Sequence, residues 1–196
     1  MLALALCAAA STTAAHPPTQ RSAAELMDAV MWNRETIGGP FALIDQEGKR
    51  RRDADFRGKL MLVYFGFAAC ADVCPTDLYQ IARAIEQLGA AGDAVQPVFI
   101  TLDPARDTPR RLATYVTHFH PRLVGLSGTP HAIDQAASAY RVYYRKIPTT
   151  QGADYTVDHS SFIYLMDRHG KYLGFFPPGT PAERIVQAVR PYIAAQ

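Results

Sequence analysis

The most constraining feature of this sequence is a run of apolar residues that leads into the start of a helix. The segment from Leu60 to Phe65 is continuously apolar, which is typical of a strand covered on both faces. From Pro75 to Leu88, apolar residues recur at spacings of three and four, and the pattern ends at Gly89. The spacing predicts an amphipathic helix. A central strand followed by such a helix indicates an α/β fold.

Predicted strands and helices alternate along the rest of the chain. The predicted strands are 41–45, 59–65, 97–102, 123–126, 140–144, 161–166 and one that ends at Phe176; the predicted helices are 75–88, 108–119, 130–139 and 180–193. The polar stretch from Ile147 to Asp158 is predicted to be a loop that is mobile. This order predicts a three-layer α/β domain, with a central sheet flanked by helices.

Length and charge are those of one ordinary globular domain. The chain has 196 residues and an apolar fraction of 48%, so one domain can bury a full core. Its 20 basic and 18 acidic residues leave a net charge of +2. This balance gives no reason to expect a nucleic-acid partner.

The N-terminal segment, residues 1–15, is uncharged and rich in Leu and Ala. It resembles the apolar part of a secretory signal, although the usual positive start is missing. We therefore expect an exported protein, periplasmic or associated with the inner membrane and facing the periplasm, with membrane anchoring through the N-terminus as an open alternative. Residues 16–38 are predicted to be an extension with a short helix that begins near Ser22, and residues 39–196 the folded domain.

Outside residues 1–15 the chain contains two cysteines, Cys70 and Cys74. A disulfide between them would close a very small loop and so add little stability. Both lie at the N-terminus of the predicted helix, where unpaired backbone amides favour thiolate over thiol. This placement favours metal binding or thiol chemistry over a structural role.

Three separated stretches carry a resemblance to a known family. They are Phe65-Gly66-Phe67 through Cys70-Ala71-Asp72-Val73-Cys74-Pro75, then Leu102-Asp103-Pro104-Ala105-Arg106-Asp107-Thr108-Pro109, and then Val157-Asp158-His159-Ser160. Together they resemble the Sco (SenC) family of copper chaperones over roughly residues 39 to 194. The resemblance implies a thioredoxin-like fold and a copper site formed by Cys70, Cys74 and His159. At Ala68, Ala69 and Ala71 the sequence departs from the Thr, His and Pro that are common in the family.

The resemblance also implies a function. We expect a metallochaperone that binds one copper ion, as Cu(I) or Cu(II), and delivers it to the binuclear copper centre of cytochrome c oxidase or to another copper protein. Two thiolates and one imidazole suit copper chemically. We expect a monomer. The alternative is a thiol-disulfide oxidoreductase that uses Cys70 and Cys74 to reduce the cysteines of its target.

Several other residues are candidates for supporting roles. Asp72 and Asp158 adjoin the predicted ligands, where they either orient them or face solvent. Asp103 follows a strand end, and we interpret it as a residue that caps the turn with Arg106 and Asp107. A further set of residues is expected to be solvated: His118, His120, His131, His169 and the basic run 49–52.

Overall fold

The computed structural model of the chain describes residues 37–149 and 155–194. The signal-like segment 1–15 and the helix predicted near Ser22 lie outside the described residues. No helix within these two ranges is both long and apolar enough to cross a membrane.

The described residues form strands and helices in the alternating order that the sequence predicts. The strands are β1 (Ala42–Asp45), β2 (Arg50–Arg52), β3 (Leu60–Gly66), β4 (Val95–Thr101), β5 (Val124–Ser127), β6 (Tyr144–Pro148), β7 (Tyr155–His159), β8 (Ile163–Met166) and β9 (Tyr172–Phe176). The α-helices are α1 (Val73–Leu88), α2 (Pro109–Thr117), α3 (Pro130–Ala139) and α4 (Ala182–Ala194).

A mixed seven-stranded sheet forms the centre of the domain, in the order β2-β1-β5-β4-β3-β8-β9. Strand β3 is parallel to β4 and antiparallel to β8, and β4 is parallel to β5. Every residue of β3 is buried, which confirms that the continuous apolar run is a central strand. The central mixed sheet flanked by helices is also confirmed.

Helix α1 buries the apolar positions that its spacing predicts. Leu78, Ile81, Ile85 and Leu88 are all in the core, because residues three and four apart share one face of a helix. The helix begins at Val73, two residues before the predicted Pro75. Cys74 therefore lies inside the first turn of α1, and Cys70 lies in the loop that precedes it.

The prediction for residues 140–158 is wrong in two places. The strand predicted at 140–144 is instead a turn after α3, in which Arg141 has a φ of 58°, followed by β6. The predicted loop contains β7, which pairs antiparallel with β6 in a separate two-stranded sheet. Of the ten residues in these two strands, only Val157 is buried. Strands without a buried face lack the alternation of apolar and polar residues that reveals a strand in sequence.

The basic run 49–52 is largely solvated, as the sequence predicts, with Lys49, Arg50 and Arg52 exposed. Residues Arg50–Arg52 form the short edge strand β2, paired antiparallel with β1. Arg51 Nε lies 2.8 Å from Oδ2 of the buried Asp45. A short, strongly charged edge strand is one that does not invite further strand pairing.

Candidate metal centre

The two cysteines are positioned by the connection between β3 and α1. Gly66 ends β3, and the chain then turns so that Cys70 N–H donates a hydrogen bond to the Phe67 carbonyl at 3.1 Å. Both cysteines are reduced; Cys70 is half-buried and Cys74 is fully buried. The loop thus presents one accessible and one enclosed sulfur at the N-terminus of α1.

Gly66 permits the close approach of Cys74 to the sheet. A Cβ atom at position 66 would lie 2.9 Å from the Cys74 sulfur, 3.1 Å from the Tyr64 ring and 3.2 Å from the Phe99 ring. Real Cβ atoms do not sit this close to sulfur, and a close-packed core cannot give way easily. Glycine is therefore required for the observed position of the sulfur.

His159 is the last residue of β7, and its imidazole faces the dithiol. Its Nε2 lies 3.5 Å from the sulfur of Cys74. Its Nδ1 lies 3.1 Å from the Ser160 carbonyl oxygen, to which it donates in the tautomer that leaves the Nε2 lone pair free. The Phe67 ring packs edge-on against the imidazole, with centroids 5.9 Å apart. These contacts aim Nε2 at the cysteines.

The two thiols have strongly different acidities because they share a proton. A hydrogen bond from the Cys74 thiol is the largest cause of a Cys70 pKa lowered to about 4. Burial opposes this effect, and contacts with His159 and the backbone N–H groups of Asp72 and Cys74 add to the lowering. The hydrogen bond to Cys70 and burial raise the pKa of Cys74. Cys70 is therefore the thiolate and Cys74 the thiol in the metal-free state.

Two buried polar side chains near the dithiol were not recognised in the sequence. The Tyr64 hydroxyl lies among Ser161, Cys74 and Asp77 without a hydrogen bond of standard geometry. Asp77 is fully buried one turn after Cys74; its Oδ1 accepts from Gly179 N–H at 2.8 Å, and its Oδ2 has no hydrogen-bond donor. An acidic residue on the apolar stripe of α1 was the available signal, since Asp is rarely buried without a partner.

The turn at residues 103–107 supports the cysteine loop from the side. Asp107 is fully buried, and its Oδ2 accepts hydrogen bonds from Thr101 Oγ1 at 2.6 Å and from Ala68 N–H at 2.9 Å. The contact at Ala68 uses the backbone. It therefore persists although the chain lacks the threonine that is common in the resembled family at this position.

The acidic residues adjacent to the predicted ligands do not contact them through their carboxylates. Asp72 is exposed, and it contributes its backbone N–H to Cys70. Asp158 is exposed, and its carboxylate lies 3.7 Å from Arg145. Asp103 does cap the turn, because its carbonyl accepts from Arg106 N–H and Asp107 N–H.

The histidines other than His159 are mostly exposed, as expected. His118, His131 and His169 are exposed, whereas His120 is half-buried and its Nδ1 accepts from Arg122 N–H at 3.1 Å.

The distance between Cys74 and His159 is compatible with a shared metal ion. Within residues 37–149 and 155–194, no three His, Cys, Asp or Glu side chains already converge as a metal cluster. Metal–nitrogen and metal–sulfur bonds of about 2.0 and 2.3 Å at a tetrahedral angle separate the two ligand atoms by about 3.5 Å. The observed distance from Cys74 to His159 matches this value, and Cys70 contacts both of these side chains.

Comparison with known proteins identifies the family. The family model described as SCO1/SenC matches residues 30–194. The chain belongs to the SCO1/SenC family. The mouse protein "SCO2 homolog, mitochondrial" is 45% identical over 159 residues, which are 80% of this chain and 62% of the mouse protein. The chain thus spans about three-fifths of the length of this curated relative.

Solved Sco structures share the fold. Copper-bound ScoI of Bradyrhizobium japonicum is 44% identical, with a TM-score of 0.74 over 80% of this chain and 99% of that one. Copper-bound ScoI of Arabidopsis thaliana is 40% identical, with a TM-score of 0.77 over 82% of this chain and 99% of that one. The thioredoxin-like fold is therefore confirmed. BsSco, which is 22% identical to this chain, is a member of the Sco family of cytochrome c oxidase assembly proteins.

Proposed function

We propose that this chain binds one copper ion through Cys70, Cys74 and His159 and delivers it to the binuclear copper centre of cytochrome c oxidase. The observation that carries the proposal is the approach of His159 Nε2 to the Cys74 sulfur, 3.5 Å away, beside the thiolate of Cys70. Two soft sulfurs and an imidazole form a ligand set that suits copper. The copper-bound structures of ScoI from two organisms support the same conclusion.

The arrangement also suits release of the ion. Cys70 is half-buried, so a thiol of an acceptor protein can approach copper from the side of this sulfur. Exchange between thiolates then moves the ion without passing through water. The ligands must be deprotonated to bind, and the low pKa of Cys70 provides one thiolate at neutral pH before copper arrives.

A second function is supported by the asymmetry of the dithiol. An accessible thiolate beside a buried thiol is the arrangement of a dithiol reductant. The Cys70 thiolate would attack a target disulfide to form a mixed disulfide, which Cys74 then resolves. The target gains two electrons and the Cys74 proton, its second sulfur leaves as a thiolate that takes its proton from water, and a disulfide forms between Cys70 and Cys74.

Copper titration of the reduced protein tests the first function and separates it from the second. We expect one tightly bound ion per chain, measured by competition with a chromophoric Cu(I) chelator and by Cu(II) absorption. His159→Ala should weaken binding by about two orders of magnitude or more, since even residues that only support a ligand contribute 10–100-fold. His131→Ala, which removes an exposed histidine, is the matched control.

The outcomes of this titration differ for the two functions. If His159→Ala binds copper as tightly as the parent, the three-ligand site is wrong. If the parent binds no copper but reduces a model disulfide, and does so equally well after His159→Ala, the dithiol reductant is the better description. Transfer of copper to a purified copper-centre domain of the oxidase tests delivery itself.

We also propose that the domain works outside the cytoplasm, in the periplasm or at the inner membrane facing it, as a monomer. The apolar segment 1–15 supports export, and the mitochondrial designation of the mouse relative is consistent with a non-cytosolic location. Fractionation of cells that express the full chain, with size-exclusion chromatography of the released protein, checks both points.

A further inference from the structure

Tyr155 lies at the start of β7. The turn at residues 103–107 contacts both its side chain and its backbone. Its hydroxyl donates to Oδ1 of Asp103 at 2.7 Å, and Asp103 is fully buried. Arg106 pairs through Nε with the other oxygen of Asp103, and its Nη1 donates to the Tyr155 carbonyl at 2.9 Å. The guanidinium carbon also lies 4.0 Å from the centre of the Tyr155 ring, close enough for a cation–π contact.

The same turn continues to the cysteine loop through a chain of hydrogen bonds. Asp103 N–H donates to Thr101 Oγ1 at 2.9 Å, and Thr101 Oγ1 donates to Asp107 Oδ2 at 2.6 Å. Asp107 Oδ2 also accepts from Ala68 N–H at 2.9 Å. Ala68 is two residues before Cys70. The chain therefore runs without a break from the histidine-bearing strand to the cysteine-bearing loop.

This connection matters because the hairpin lies outside the hydrogen-bond ladder of the main sheet. Strands β6 and β7 pair with each other and are not part of the seven-stranded sheet. In β7, Val157 is the one buried residue of the strand. Without the ladder of a larger sheet, the position of His159 depends on side-chain contacts such as those of Tyr155, four residues earlier.

We propose that Tyr155 is a positioning residue of the copper centre. It fixes the distance between His159 Nε2 and the two sulfurs through Asp103 and Arg106. The proposal rests on the proposed function of Cys70, Cys74 and His159 as ligands, and it assigns to the Asp103 turn a role that copper ligation alone does not require. Arg106 and Lys146 still pair with Asp103 when the Tyr155 hydroxyl is removed, so its loss bears on the placement of Tyr155 more than on the buried charge.

Tyr155→Phe tests the proposal, since it removes the hydroxyl and retains the ring against Arg106. We expect Cu(II) and Cu(I) affinities to fall about tenfold, with a shifted thiolate-to-Cu(II) absorption band and altered EPR parameters. The thermal unfolding midpoint of the copper-free protein should change by no more than a few degrees. Tyr172→Phe, which removes the hydroxyl of a half-buried tyrosine on β9, is the control and should match the parent in all measurements.

A measurement on the copper-free protein separates this proposal from the proposed function. NMR cross-peaks between the imidazole protons of His159 and the Cys74 side chain should weaken in Tyr155→Phe and persist in Tyr172→Phe. If they weaken while the parent binds no copper, Tyr155 positions His159 and the copper function is wrong. If cross-peaks, copper affinity and spectra of Tyr155→Phe all equal those of the parent, the positioning role is overturned. A large loss of thermal stability with unchanged spectra also overturns it, because Tyr155 would then be structural only.

Discussion

His159 Nε2 lies 3.5 Å from the sulfur of Cys74, although 85 positions separate the two residues in sequence. Cys74 is placed by the first turn of α1, and His159 by the last residue of a hairpin outside the main sheet. Two independent elements therefore meet at one point.

Cys70 should react with alkylating agents at a pH where ordinary thiols do not. Its pKa is lowered to about 4, whereas that of Cys74 is raised. At about pH 6 Cys70 is almost entirely thiolate, while an unperturbed cysteine with a pKa of about 8.5 is below about 1% ionised. Brief iodoacetamide treatment of the copper-free protein at about pH 6 should give one adduct, which peptide mass spectrometry locates at Cys70.

The matched controls for alkylation are Cys70→Ser and Cys74→Ala. Cys70→Ser should lose the labelling at about pH 6. Cys74→Ala should retain labelling but require a higher pH, because the hydrogen bond from the Cys74 thiol is the largest cause of the lowered pKa. Equal labelling of both cysteines in the parent would contradict the assignment of thiolate and thiol.

Gly66→Ala should displace the Cys74 sulfur. The added methyl would sit 2.9 Å from this sulfur and 3.2 Å from the Phe99 ring, and overpacking of this kind costs about 1–3 kcal/mol. We expect a lower urea midpoint and weaker copper binding. Gly174→Ala in β9, where no atom lies within 4 Å of the new methyl, should change neither. If Gly66→Ala has the urea midpoint and copper affinity of the parent, the site has room for a methyl group and the prediction is wrong.

Asp77→Asn should stabilise the protein at neutral pH. Burial raises the pKa of Asp77, so the folded state binds this proton more tightly than the unfolded state. Stability from this group is therefore lost as pH rises from the unfolded pKa of about 3.9 through the folded pKa. Asparagine retains an acceptor for Gly179 N–H and carries no charge. We expect a gain on the order of 1 kcal/mol at pH 7.

Urea unfolding at several pH values checks this prediction. The gain should disappear at about pH 3 and below, where the carboxyl is mostly protonated in both folded and unfolded states. Asp93→Asn, which neutralises an exposed carboxylate paired with Arg122, should give no gain at pH 7. A stability difference for Asp77→Asn that does not depend on pH would show that the effect is one of shape and not of charge.

The sequence by itself determined the central part of the fold. The buried run of β3 and the stripe of α1 follow from local periodicity, since an apolar face must repeat with the period of its element. The dithiol at the start of α1 is local as well, because Cys70 and Cys74 are four residues apart. The resemblance of three short motifs was enough to predict the family and the residue, His159, that completes the proposed site.

Only the tertiary structure decided how the distant parts meet. The hairpin of β6 and β7 has no continuous buried face, so its strands left no periodic signal, and the region was predicted to be a loop. Two contacts join residues that are distant in sequence: that of Asp107 with Ala68 N–H and that of Tyr155 with Asp103. The burial of Asp77 also results from the packing of distant segments. Their energies depend on distance and burial in three dimensions, which a pattern along one chain does not contain.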